Sequence, residues 1–255
     1  MVIFEKKNLI TFFIGIMAGF FGGLVGLGGG VVMIPMMVSI LKLTQHQAHG
    51  TSLVALVFTG LVGAITYYKH NNVDIIAAGL LAITSLITVR YGALFANSLS
   101  EWKLKRSFGG FLIFASTMLL IKPYIGIGID PIVGIMKIIT LLITGIFAGF
   151  VAGMMGVGGG TVMVPPMVIL MGMTQHMAQG TSLLCMVASG MLGAYTHHKI
   201  GNVLPNLLFG LIGGIIIGTY LGGTSAQYLP ELYLRLIFSS FLIWTGIRYL
   251  RTKPK

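Results

Sequence analysis

The sequence predicts an all-α polytopic membrane protein of two inverted repeats, each a short broken helical hairpin followed by three transmembrane helices. Three observations carry that expectation. The first is composition: of 255 residues, 56% are hydrophobic and 8% charged, with a mean hydropathy of +0.96, whereas soluble domains carry about 25% charge. The second is the recurrence of apolar runs of about twenty residues, the length a bilayer crossing needs. They cover residues 8–25, 48–68, 73–96 and 107–121, answered by 138–155, 178–196, 203–222 and 234–249. The third is a passage written twice. Residues 26–53 read GLGGGVVMIPMMVSILKLTQHQAHGTSL and residues 156–183 read GVGGGTVMVPPMVILMGMTQHMAQGTSL, at an offset of 130 without a gap. Core packing preserves apolar character, not shared glycines, prolines and polar triplets. A duplicated unit of this kind points to a two-fold pore or carrier with its site at the repeat interface.

Each half divides into five segments. In the first half they are about 8–26, ending at the glycine run; a short 29–43 carrying Pro35; then 46–69, 73–97 and 102–121. The offset brings Pro165, the Lys199–Asn202 junction and Glu231 into register in the second half. The chain thus reads as repeat 1–122, linker 123–137 and repeat 138–255, with Pro123, Gly126, Gly128 and Pro131 breaking any helix between the halves. The first apolar run continues through glycines into another apolar segment, so it reads as a retained span and not a cleaved signal. The second segment reaches only about 22 Å at 1.5 Å per residue, short of the roughly 30 Å hydrocarbon core. It therefore turns back, or is a half-helix whose tip approaches the midplane. Irregular backbone at that depth survives only against protein or a water-filled cavity.

Charge orients the repeats. The net charge of +11 reflects Lys and Arg gathered beside membrane spans; no basic stripe with interleaved aromatics argues for nucleic acid. If segments one and two fuse into one broken span, the halves are parallel and ten of the sixteen Lys and Arg lie inside, with Lys103, Lys105 and Arg106 opposite both termini. If they form a hairpin, each half flips the chain. Then Lys42, Arg90, Lys103, Lys105 and Arg106 join Lys6, Lys7, Lys199, Arg248, Arg251, Lys253 and Lys255 inside, twelve of sixteen, leaving Lys69, Lys122, Lys137 and Arg235 outside. The inverted arrangement, with both termini cytoplasmic, satisfies the positive-inside bias better.

The candidate site residues are the duplicated ones. Gly28, Gly29 and Gly30, with Gly158, Gly159 and Gly160, permit positive φ and close approach; leading into a helix, they can aim free N–H groups at an anion. Tight turns or close helix packing are the plainer reading. A nucleotide phosphate loop is disfavoured because neither run continues into Gly-Lys-Ser/Thr and no strand precedes it. Pro35 and Pro165 each free a helix carbonyl, for substrate or merely for a kink. Thr44 and Thr174, ahead of Gln45–His46 and Gln175–His176, are suited to cap the third segments. Gly50, Thr51 and Ser52, with Gly180, Thr181 and Ser182, offer hydroxyl donors without fixed charge for an oxyanion that must bind and leave, or else bond back to their own helix. His49 stands against Gln179 across the repeat, so the two half-sites differ chemically, and a histidine there could carry charge or relay a proton. His197 and His198, mates of Tyr67 and Tyr68, read as interfacial.

The acidic residues exclude as much as they suggest. Glu101 and Glu231 open the last helix of each half, favourable with its dipole. Glu5, Asp74 and Asp130 fall at ends or links, so no carboxylate lies within a span and a cation pump with a buried acidic relay is disfavoured. Cys185 is alone, which excludes an intrachain disulfide. No catalytic, metal-ligand or redox cluster is apparent and no cofactor is expected.

The twin G-x-GGG-x-V-x-x-P-x-M segments, each followed by A-x-GTSL, resemble the TauE/SafE sulfite exporter family, also called the toluene sulfonate uptake permease family. The resemblance covers nearly the whole chain and implies a transporter in the prokaryotic plasma membrane for small sulfur-containing anions such as sulfite, sulfoacetate or related sulfonates. Carried over onto this chain, its site residues are the glycines 28–30 and 158–160, Pro35 and Pro165, and the Gly-Thr-Ser triplets at 50–52 and 180–182. A secondary carrier, an exporter with its substrate near the midplane between the repeats, is the leading expectation; its partners are the anion, the bilayer and a coupling ion, proton or sodium. An anion channel would show unitary currents. A membrane scaffold would tolerate changes at the duplicated polar residues.

Overall fold

The computed structural model describes residues 2–125 and 132–252. Gly126, Gly128, Asp130, Pro131, Lys253 and Lys255 lie outside the described residues, as do the side chains of Glu5, Lys6, Glu101, Lys122, Pro123 and Arg235. The described chain is helical throughout: α1 (Val2–Val25), α2 (Gly30–Ile40), α3 (Gln45–Tyr68), α4 (Ile75–Ser98), α5 (Glu101–Ile125), α6 (Gly134–Met155), α7 (Gly160–Ile169), α8 (Gln175–Lys199), α9 (Leu208–Tyr228) and α10 (Glu231–Leu250). A single 3-10 turn, Pro205–Leu207, precedes α9. The five-plus-five division holds. Between the halves, α5 continues through Pro123 to Ile125 and α6 begins at Gly134. A proline in a last turn forfeits one backbone bond but need not end the helix there.

Six helices, α1, α3, α4, α6, α8 and α9 (the last counted with its 3-10 turn), are long and apolar enough to cross a membrane. This is a polytopic helical membrane protein. α5 and α10, of 25 and 20 residues, are also long enough to cross at 1.5 Å per residue. Their charged openings, EWKLKR and ELYLR, lower their mean hydropathy.

Local sequence sets the helix starts. Thr44 caps α3 through a reciprocal box: its hydroxyl accepts from Gln47 N, and the Gln47 side chain accepts from Thr44 N, both at 3.2 Å. Thr174 repeats the cap on Met177 N at 3.2 Å, and Asp74 caps α4 on Ala77 N at 2.9 Å.

Packing then interleaves the halves. The most extensive contacts are α1 with α9 and α4 with α6, which are repeat mates of each other. Both pairs run parallel on glycines: a Cβ on Gly19 would sit 2.7 Å from Ile215 O, and one on Gly145 would sit 2.6 Å from Leu81 O. Small residues let backbones touch where lipid gives no hydrophobic incentive to associate. Between them, α3 and α8 cross antiparallel: a Cβ on Gly60 would be 2.8 Å from Leu183 O, while one on Gly193 would be 3.2 Å from Leu53 Cδ1. α5 and α10 are likewise antiparallel, joined by Ser116 Oγ donating to Ser239 O at 3.0 Å.

Candidate functional site

The site begins where α1 and α6 stop. Gly26, Gly28 and Gly29 have φ of 70°, 79° and 74°, and their mates Gly156, Gly158 and Gly159 have 67°, 82° and 77°. Three left-handed residues in four is a path that only glycine follows cheaply. It turns the chain back on itself, so that α2 returns along α1: Met17 and Phe21 share a cavity with Val32, Pro35 and Met36. The 11-residue α2 and 10-residue α7 are therefore half-helices whose N-termini lie deep in the bundle. Gly30 and Gly160, which open them, are both buried.

The two tips meet. A Cβ on Gly30 would lie 2.6 Å from Gly156 O, and one on Gly160 would lie 2.9 Å from Gly26 O. Over this junction press Leu56 and Met186, which are repeat mates. A Cβ on Gly28 would collide with Leu56 Cδ2 and Met186 Cε alike, and one on Gly158 would meet Met186 Cε at 3.1 Å and Leu56 Cδ1 at 3.4 Å. Both are completely buried, so an apolar plug covers the tips in this conformation.

The duplicated Gly-Thr-Ser triplets hold the junction together from α3 and α8. Ser52 Oγ stands 2.7 Å from Gly156 O and 2.8 Å from His49 O, and Ser182 Oγ stands 2.9 Å from Gly26 O and 2.8 Å from Gln179 O. Each serine thus fastens the tip of the opposite repeat and bonds back to its own helix, so its proton is engaged with carbonyls. Thr51 Oγ1 accepts from Leu204 N at 3.1 Å and Thr181 Oγ1 from Asp74 N at 2.9 Å. Gly50 and Gly180 make room for those crossing segments, packing on Asn202 and Asn72. Thr51→Val with Thr181→Val leaves two loop N–H groups without acceptors, an expected loss of about 1 kcal/mol or more each. Thermal unfolding of the purified double variant checks it; an unchanged midpoint would show the latches to be idle.

The mismatched pair behaves differently on its two sides. His49 is completely buried. Its Nδ1 donates to Met154 O at 3.0 Å, which leaves Nε2 to accept from Gln45 Nε2 at 2.8 Å. Gln179 packs its stem against Gly26 and has Tyr67 Oη at 2.9 Å from its amide oxygen, while its amide nitrogen is buried without a partner. Tyr67 Oη is also 2.9 Å from Gly23 O, so its proton can serve either acceptor.

His197 is not interfacial: it is fully buried, its Nε2 donating to Gly153 O at 2.9 Å, just as its mate Tyr67 reaches Gly23 O. Helical rotation of about 100° per residue turns 67 and 197 inward, leaving Tyr68 and His198 exposed. Thr161 stands in the first turn of α7, 3% exposed, with its hydroxyl unpartnered, where the first repeat has Val31, and it lines the cavity beside α5. The one polar exchange inside the glycine motif was the available signal. Pro35 and Pro165 face outward, lining mated cavities of about 280 and 290 Å³ beside α10 and α5. Glu231 takes the backbone N–H of Gln175, so it caps α8 rather than only its own helix. Among the described residues no group of three or more His, Cys, Asp or Glu is placed to hold a metal.

The family profile for the sulfite exporter TauE/SafE matches residues 11–250. The chain belongs to the TauE/SafE sulfite exporter family. It is therefore a multi-pass membrane transporter of the TauE/SafE type, acting on a small molecule within a bilayer. Relatives agree in length as well as sequence. The probable membrane transporter YunE of Bacillus subtilis is 31% identical, with 93% of this chain and 95% of that protein aligned. A probable membrane transporter of Haemophilus influenzae is 27% identical over 94% and 96%, and MJ0441 of Methanocaldococcus jannaschii, also named a probable membrane transporter, is 26% identical over 92% of each. No solved structure matches the chain. In this TauE/SafE protein the family motif is thus the backbone of the junction: glycines turn it, serines fasten it and Gln179 leaves it short of a hydrogen bond.

Proposed function

We propose that this TauE/SafE protein is a secondary transporter exporting small sulfur-containing anions such as sulfite, sulfoacetate or other organosulfonates, bound where the two glycine tips meet. The observation that carries the reading is the Gln179 amide, buried against the tip glycine Gly26 with its nitrogen, a donor, unsatisfied. A buried polar group without a partner is costly, and an oxyanion is a pure acceptor. Two half-helix N-termini add positive potential without fixed charge, which suits cargo that must leave again.

The two halves, 1–122 and 138–255 joined by 123–137, act as inverted repeats in the prokaryotic cell membrane, with both termini cytoplasmic. Antiparallel packing of the mates α3 and α8 supports this, as a two-fold axis lying in the membrane plane requires. So do Arg106 Nε donating to Thr252 O at 3.1 Å and Arg248 donating to Ser39 Oγ at 3.2 Å, contacts that the parallel alternative would put on opposite faces. Rocking about the junction, coupled to a proton or sodium ion, then alternates access.

Flux of labelled sulfite and sulfonates into proteoliposomes tests the reading. Wild-type protein gives saturable uptake, and Gln179→Leu lowers it by roughly tenfold or more, the worth of one hydrogen bond to a charged group, with an unaltered melting profile. Absence of saturable flux for every sulfur anion tried would sink it.

A further inference from the structure

A second polar site lies away from the junction, in the groove between α4 and α8. There Arg90, Leu94, Leu192, Tyr195, Thr196 and Lys199 line an open cavity of about 300 Å³. Two cations line it and no carboxylate does. Of the described acidic side chains, Asp74 pairs with Lys137 at 3.5 Å at the other end of α4, and Glu231 is engaged with Gln175. Lys199 Nζ sits 4.8 Å from the Tyr195 ring centroid, which steadies the ammonium over the cavity. Thr196 turns its hydroxyl to Leu192 O at 2.8 Å, so the polar character of the pocket is cationic.

The fold does not require this. Arg90 stands eight residues before the end of α4, about 12 Å along the axis, where an arginine is expensive in a membrane helix. The same place in the second repeat is held by Tyr220, and the mate of Tyr195 is Ile65; only Lys199 has a basic mate, Lys69. Arg90, added beside Lys199 on one side of a two-fold in a low-dielectric wall, makes a like-charged pair that an anion between them relieves.

We propose that the α4–α8 pocket is a binding site for a tetrahedral oxyanion group on phosphorus or sulfur, gripped by Arg90 and Lys199. The planar guanidinium can take two of its oxygens and the ammonium a third. Such a group reaches the pocket either as the headgroup of an anionic phospholipid lying in the groove or as a free anion. The site is independent of the cargo at the glycine junction.

The test is the ligand-dependent rise in unfolding temperature of the full-length protein in neutral detergent, titrated with an anionic phosphoglycerol lipid, a zwitterionic choline lipid and inorganic sulfate. Wild-type protein is expected to respond to the phosphoglycerol lipid or to sulfate well below the concentration at which the choline lipid acts. A response to the lipid alone identifies a headgroup site; an equal response to sulfate identifies a free-anion site. Removing each charge should weaken apparent affinity on the order of fivefold, in Arg90→Gln, in Lys199→Gln and in Arg90→Tyr, the residue that the fold already accepts at 220. Lys69→Gln should leave it unchanged. The proposal is overturned if the Arg90 variants bind like wild type, or if neither anionic probe outperforms the choline lipid.

Discussion

Gly29→Ala is expected to leave little folded protein. Its φ of 74° is a conformation that costs an L-residue about 1–2 kcal/mol. The added methyl would also run into the carbonyl of Ala18, a backbone atom of α1 that cannot turn aside as a side chain can. Overpacking of a filled interior adds about 1–3 kcal/mol, and the combined loss is a large part of the 5–15 kcal/mol that holds a typical protein folded. Gly159→Ala should be milder, because its methyl would lie 2.8 Å from Ala148 O. Gly79→Ala is the control: it is helical, with nothing within 4 Å, and should be neutral or slightly stabilising. Yield of monodisperse protein and its melting temperature rank the three. Equal behaviour of Gly29→Ala and Gly79→Ala would mean that the hairpin is not packed as described.

Met186→Ala should open the plug. Met186 and Leu56 are the side chains that press on both Gly28 and Gly158, so truncating either leaves a void directly over the tips. The structural loss is about 2–5 kcal/mol, as for other buried large-to-Ala changes. The functional effect is expected to run the other way: passive leak of the transported anion through proteoliposomes rises, by roughly tenfold for each 1.4 kcal/mol removed from the barrier. Met186→Leu conserves volume, costs less than about 1.5 kcal/mol and should keep the barrier closed. Leak that is the same in Met186→Ala and Met186→Leu would show that the barrier lies elsewhere.

What the sequence disclosed was whatever depends on near neighbours. Thr44 and Thr174 announce their helix starts because a cap needs only the next three residues. The glycine runs announce a reversal because no other residue tolerates three positive φ angles in four. The repeat offset locates every segment, since duplication copies register. The missed features all depend on partners far along the chain. Ser52's bond to Gly156 and Thr51's to the segment at Leu204 that crosses Gly50 join residues more than a hundred positions apart. His197 looks like a membrane-edge residue because Lys199 follows closely; burial against Gly153 depends on α6 lying alongside α8.

The interleaving of α1 with α9 and of α4 with α6 bears on what counts as a unit in this molecule. The first helix of each half buries its glycine face on the fourth helix of the other half, and each tip is tied by a serine across the same divide. Cut at the link, neither fragment would own a complete interior: each would present an unmatched glycine groove and an untethered reversal to the lipid. The molecule is two copies of one sequence plan that can be finished only by exchange. Its smallest self-sufficient piece is the pair.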